Sequence, residues 1–81
     1  MLFHFSEDEL EEFHGLVSKN VRDARKRKEI SQLDLAIELG LKNSSFISHA
    51  ENTKRTRHNY SLEHLYKISK ILEIDICELL K

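Results

Sequence analysis

The sequence predicts an all-α fold: five short helices packed as one compact domain, preceded by a short helical appendage. Three observations predict it. The 81-residue chain has no proline and only two glycines, too few for the tight turns of an all-β domain. Apolar residues recur at the three- and four-residue spacing of a helix face. Helix start and stop signals punctuate the chain. Apolar residues make up 40% of it, enough for one modest core and more than a disordered tail carries. A core of this size is near the limit of marginal stability.

The elements follow in order. Ser6-Glu7-Asp8-Glu9 reads as a capping box, with acids in the first turn where the helix dipole favours them. Leu10 and Phe13 give this helix an apolar edge, and Gly15 either ends it or only weakens it. Leu16, Val17, Val21 and Ala24 carry a second helix to about Lys28, its bases gathered at the C-terminal end. Ser31, with Asp34 three residues on, opens a helix that Gly40 stops. Lys42 or Asn43 opens the next, from Ser44 to about Asn52. The polar, basic stretch from Thr53 to Tyr60 reads as a loop. Ser61 caps a longer helix with Leu62, Leu65, Ile68, Ile71 and Leu72 on one face. Asp75-Ile76-Cys77-Glu78 opens a last short helix that ends in Leu79 and Leu80. Residues 1–15 form the acidic appendage and residues 16–81 the domain.

Charge is segregated along the chain. Residues 1–15 hold five acids and no Lys or Arg; residues 16–60 hold ten bases against five acids; residues 61–81 hold three bases and four acids. The net charge of −1 hides a basic middle, an electrostatic footprint suited to phosphate. Such a run can equally be a solvated helix face and a polar loop. With so little net charge, any nucleic-acid binding must come from one face.

Several function classes have no support. Cys77 is the only cysteine, so no disulfide framework exists within the chain, and its lone thiol offers no redox pair. No apolar run exceeds three residues, so no membrane span and no secretory signal are expected, and a cytoplasmic location follows. The five histidines (His4, His14, His49, His58 and His64) include no His-x-x-x-His pair, and there is no Cys-x-x-Cys. No metal or other cofactor is therefore expected. The acids at 7–12 sit on an exposed turn rather than in a pocket, and no nucleophile–base pair is visible, so an enzyme is not expected.

The segment Ser44–Asn52 carries the chemistry. At about 100° per residue, Phe46, Ile47 and Ala50 fall on one side and Ser44, Ser45, Ser48, His49 and Asn52 on the other. A merely solvated face more often uses Glu and Lys, which are better helix formers than Ser, His and Asn. Short groups that both donate and accept hydrogen bonds suit base edges in a major groove, which admits one helix.

Ser31-Gln32-x-x-Leu35-Ala36-x-x-Leu39-Gly40, then Ser45-Phe46-Ile47-Ser48, then Glu51-Asn52, resemble the Cro/repressor-type helix-turn-helix family of bacterial and phage transcriptional regulators. The resemblance covers roughly residues 16–80, with 61–72 similar to that family's fourth helix. It implies a core containing Leu35, Ala36, Leu39, Ile47 and Ala50. It implies base reading by Ser44, Ser45, Ser48 and His49, and a phosphate contact from Gln32. Arg25 and Glu51 match a structural ion pair of some members, and Lys54, Arg55 and Arg57 match the basic loop along the DNA backbone; Asn43 is a further phosphate candidate. Thr53 replaces the glycine that often follows Glu-Asn, so Asn52 is expected to take the left-handed conformation. The span from Gly40 to Glu51 is one residue longer than in phage repressors, which leaves two registers open at Lys42–Ser44.

The function expected is sequence-specific binding of double-stranded DNA by a repressor acting as a homodimer. The dimer surface would be the last helix (Ile76, Leu79, Leu80) or the appendage (Leu2, Phe3, Phe5, Phe13), unless these pack on the chain's own core. The appendage is expected to cover its own domain. The alternative is a protein-interaction module, such as the antitoxin of a toxin–antitoxin pair, gripping its partner through the appendage or the last helix.

Overall fold

The computed structural model describes residues 3–52 and 59–81. These form α1 (Glu7–Arg27), α2 (Gln32–Glu38), α3 (Ser45–Glu51), α4 (Leu62–Ile71) and a closing 3-10 turn (Ile76–Leu79). The observed count is thus four α-helices and one 3-10 turn, where five helices were predicted. In the last element Asp75 caps the amide of Cys77, and the Glu78 amide donates to the Asp75 carbonyl three residues back. Four residues closed by such a bond make a 3-10 turn, too short to settle into an α-helix.

Gly15 does not end a helix. It lies inside the 21-residue α1, so the appendage and the domain share one continuous helix. A central glycine costs ~1 kcal/mol against alanine. Breaking the helix there would forfeit several backbone hydrogen bonds and require a second nucleus. Ser6 Oγ accepts from the Glu9 amide at 3.0 Å, and acids in the first turn and bases in the last both suit the dipole.

The ends of α1, α2 and α4 are set by one repeated device. Glu29, Gly40 and Glu73 all take positive φ, at 57°, 80° and 55°. After each, the next amide reaches back five residues: Ile30 to Arg25, Leu41 to Ala36 and Ile74 to Ser69. These are Schellman motifs, and Ile30, Leu41 and Ile74 all pack against the core as the motif's apolar residue should. Helix starts are equally explicit. Ser31 accepts from the Asp34 amide. Ser61 accepts from the His64 amide while His64 Nδ1 accepts from the Ser61 amide, so an imidazole completes this capping box.

The core joins Val17, Val21 and Ala24 of α1 to Leu35 and Ala36 of α2 with Leu39 at its end, Ile47 and Ala50 of α3, Leu65, Ile68 and Leu72 of and after α4, and Leu79 of the closing turn. Two dimer-surface expectations change here. Leu79 is fully buried, so it serves the chain's own core. Among the described residues the appendage does not cover its own domain: residues 3–13 are exposed throughout, Phe3 at 78%, and Leu2 lies outside the described residues. The first turns of α1 run past the core, and the described chain measures 44 × 25 × 20 Å.

Candidate nucleic-acid interface

α2, the turn at Leu39–Ser44 and α3 place one polar helix face outward. Ile47 and Ala50 bury the inner side of α3, and Phe46, half-buried, meets the Tyr60 ring edge-on at 5.8 Å and the His64 ring at 5.1 Å. Ser45, Ser48, His49 and Asn52 lie on the opposite side and are exposed; Ser44 is half-buried. The spacing of three, four and seven residues from Ser45 makes them one face.

The start of α3 fixes the register left open above. Ser44 is the N-cap residue but its side chain makes no capping bond; Asn43 Oδ1 instead accepts from the Ser45 amide at 2.9 Å. Asn52 is extended (φ −74°, ψ 120°), not left-handed, so α3 ends without the turn predicted for it. Positive φ costs a non-glycine residue ~1–2 kcal/mol. The Asn52 amide bonds to the His49 carbonyl and closes the helix without that cost.

A buried ionic clamp holds α3 in place. Arg25 Nε donates to Glu51 Oε2 at 2.7 Å and its terminal NH2 donates to Oε1 at 2.9 Å, a bidentate pair. The two side chains are 9% and 6% exposed. Arg25 also donates to the Ile30 carbonyl at 2.8 Å, and Gln32 Nε2 donates to Glu51 Oε1 at 2.9 Å. The last turn of α3 is thereby tied to the end of α1, to the connection after it and to the first residue of α2. Taking both charges out of water is costly, and the satisfied hydrogen bonds offset that cost, so the clamp's contribution is to orientation more than to net stability.

Sequence reasoning missed two parts of this cluster. Gln32 reads as a phosphate contact in the sequence, yet its amide is also a member of the clamp. Tyr60 reads as the end of a polar loop, yet it is 6% exposed, and its hydroxyl has no partner among the described residues. Burial and the neighbouring Glu51 carboxylate hold its proton well above the ordinary tyrosine range, against a smaller opposing effect of Arg25. Nothing local in the sequence links Tyr60 to Phe46, or Gln32 to a residue nineteen positions away. Lys54, Arg55 and Arg57 lie outside the described residues.

No protein-family model and no curated protein matches the sequence. Among solved structures, the chain is similar to the crystal structure of the restriction-modification controller protein C.AhdI from Aeromonas hydrophila. The two are 31% identical with a TM-score of 0.66, over 80% of this chain and 92% of that one. The chain belongs to the Cro/repressor-type helix-turn-helix family. In this helix-turn-helix protein α2 and α3 are the motif's two helices. Among the described residues no group of His, Cys, Asp or Glu could hold a metal ion, and no helix is long and apolar enough to cross a membrane. Cys77 is a free, exposed thiol.

Proposed function

We propose that this helix-turn-helix protein is a sequence-specific regulator that binds double-stranded DNA as a homodimer and represses transcription. The carrying observation is the exposed, hydroxyl-rich face of α3, held rigidly by the Arg25–Glu51 clamp. Ser44, Ser45, Ser48 and His49 read base edges in the major groove. Gln32, Asn43, Lys54, Arg55 and Arg57 contact phosphates and set position without carrying sequence information. Gln32 can serve both tasks, because an amide NH2 has two hydrogens and the clamp uses one. A single domain of this size makes few contacts, and two copies on half-sites about 34 Å apart supply the rest. The likeness to a restriction-modification controller makes genes of that kind the first place to seek the target, and a DNA target places the protein in the cytoplasm.

The test is selection of bound sequences from a random duplex pool, followed by titration of the enriched and a scrambled duplex at graded salt. The enriched duplex should bind more tightly, its site should be two-fold symmetric, and affinity should fall steeply as salt rises. Equal binding of both duplexes would overturn the proposal. A second reading, a grip on another protein such as a toxin, is favoured by the exposed Phe3 and Phe5, stacked at 6.3 Å, and by Phe13. Purification of the tagged protein from its host with a stoichiometric companion would support it.

A further inference from the structure

The apolar stripe of α1 is longer than the body that covers it. Leu10, Phe13, Val17, Val21 and Ala24 follow at spacings of three and four residues, so they share one face of the helix. From Val17 onward that face is buried, with α3 and the closing turn packed on α1. At Leu10 and Phe13 the same face emerges from the body, and both side chains are half-exposed.

Where the stripe emerges, it meets a corner. Asn20 stands seven residues after Phe13, on the same side of α1. Its side-chain NH2 donates to the carbonyls of Leu79 at 3.2 Å and Lys81 at 3.0 Å, so residues 79–81 cross the helix there. Leu80, between those two, and Leu16, one turn before Asn20, are both exposed. Apolar surface thus continues from the arm into the angle between α1 and the closing turn. A contiguous apolar surface of this kind marks a place where another molecule sits.

Charge decides what fits. Residues 1–15 hold five acids and no Lys or Arg. At about 100° per residue, Glu7 falls about 90° to one side of the line midway between Leu10 and Phe13, and Glu9 about 70° to the other. Both glutamates are exposed, so carboxylates rim the stripe on each edge. Such a rim repels a polyanion, which excludes nucleic acid and an anionic lipid surface as occupants. Leu10, Phe13 and Leu16 span two turns, the reach over which one amphipathic helix anchors on another surface. The arm also precedes the residues that carry the family resemblance, so the shared domain assigns it no task. Leu10 lies about 22 Å along α1 from Arg25, which leaves the clamp and α3 clear of a molecule bound here.

We infer that the arm binds an amphipathic helix of a second, different protein. The apolar side chains of that helix lie along Leu10, Phe13 and Leu16, and its Lys and Arg side chains meet Glu7 and Glu9. This deepens the second reading given above, a grip on another protein, by naming the chemistry of the partner, and it rests on that reading.

The experiment uses the full chain, without DNA, and three labelled peptides of about 18 residues, long enough to form a helix. The first sets Leu at helical spacing between rows of Lys and Arg. The second holds the same residues in scrambled order, and the third replaces each base by Glu. Fluorescence anisotropy at low salt should show the first binding about tenfold or more tightly than the other two. Leu10→Ser with Phe13→Ser should lower that affinity by about tenfold or more. Glu7→Lys with Glu9→Lys should transfer the preference to the Glu peptide, with circular dichroism verifying that each variant is folded. Equal affinity for the first and second peptides, or an affinity indifferent to the Leu10 and Phe13 substitutions, would overturn the inference. A photo-crosslinking side chain at position 13, introduced in the host, separates the inference from the reading it rests on. A companion joined through a helix edged by Lys and Arg supports both. A companion joined through an acidic or neutral surface overturns the partner chemistry and leaves the grip standing. A crosslink only to a second copy, or to no protein, overturns both.

Discussion

Glu51 is the residue on which the interface turns. Its carboxylate accepts three N–H bonds from Arg25 and Gln32 while almost fully buried. Glu51→Ala strands a buried guanidinium and should cost ~3–5 kcal/mol in urea unfolding, far above an exposed pair's ~0–1. Replacing both partners at once, Arg25→Met with Glu51→Leu, should recover most of that loss yet still weaken DNA binding, since the orientation of α3 is gone. Stability without recognition in the double variant is the outcome that separates the clamp's two roles. Tyr60 gives a pH dependence of known sign. Its folded-state proton affinity is raised above the ordinary value of 10.0, so the unfolded chain loses the proton first. The stability it contributes is complete below pH 10 and falls as pH rises beyond that value. Tyr60→Phe should flatten the alkaline limb of a stability–pH curve and change neutral-pH stability by less than ~1 kcal/mol, its hydroxyl having no partner among the described residues.

At the scale of elements, boundaries were the most legible feature. Ser6, Ser31 and Ser61 each cap the helix predicted from them, and Gly40 ends α2 in the left-handed conformation. The glutamates at 29 and 73 do the same work without the sequence signal, because the stop is enforced by burying Ile30 and Ile74 rather than by backbone preference. Glu29→Gly and Glu73→Gly should therefore each stabilise the fold, by ~0.5–1 kcal/mol in thermal unfolding, through relief of left-handed strain less the added freedom of the unfolded chain. No gain in either variant would mean that the strain is already offset. The outward face of α3 was legible because two faces of different chemistry alternate at helical period. Its tie to Gln32 was not, since long-range side-chain pairing leaves no periodic trace. Of the two outcomes open at Gly15, an end or a weakened continuation, the helix takes the second: local preference is a weak prior, and twenty well-capped neighbours outvote one residue.

The whole molecule is a small packed body with a helix that outruns it. The body's core residues and the arm's apolar residues should respond differently to truncation. Ile68→Ala, at a fully buried site, should cost ~2–5 kcal/mol. Leu10→Ser and Phe13→Ser, half-exposed on the arm, should each stay within ~0.5 kcal/mol of wild type in the dilute chain. Hydrogen exchange at high dilution should follow the same division, with amides of the first turns of α1 opening long before those around Val21. Uniform protection along α1 would mean that the arm is covered in solution. The charge division of the sequence does not say how the acidic segment sits, since an acidic first turn is compatible with a docked appendage or a projecting one.

Ser45 and Ser48 are exposed on the outward side of α3, while Ile47 and Ala50 bury its inner side and Glu51 ties its last turn from behind. Ser45 and Ser48 can accordingly be randomised as a cassette with the scaffold left intact. A combinatorial library at those two sites, screened against different operators, would treat this chain as a socket that accepts interchangeable reading heads.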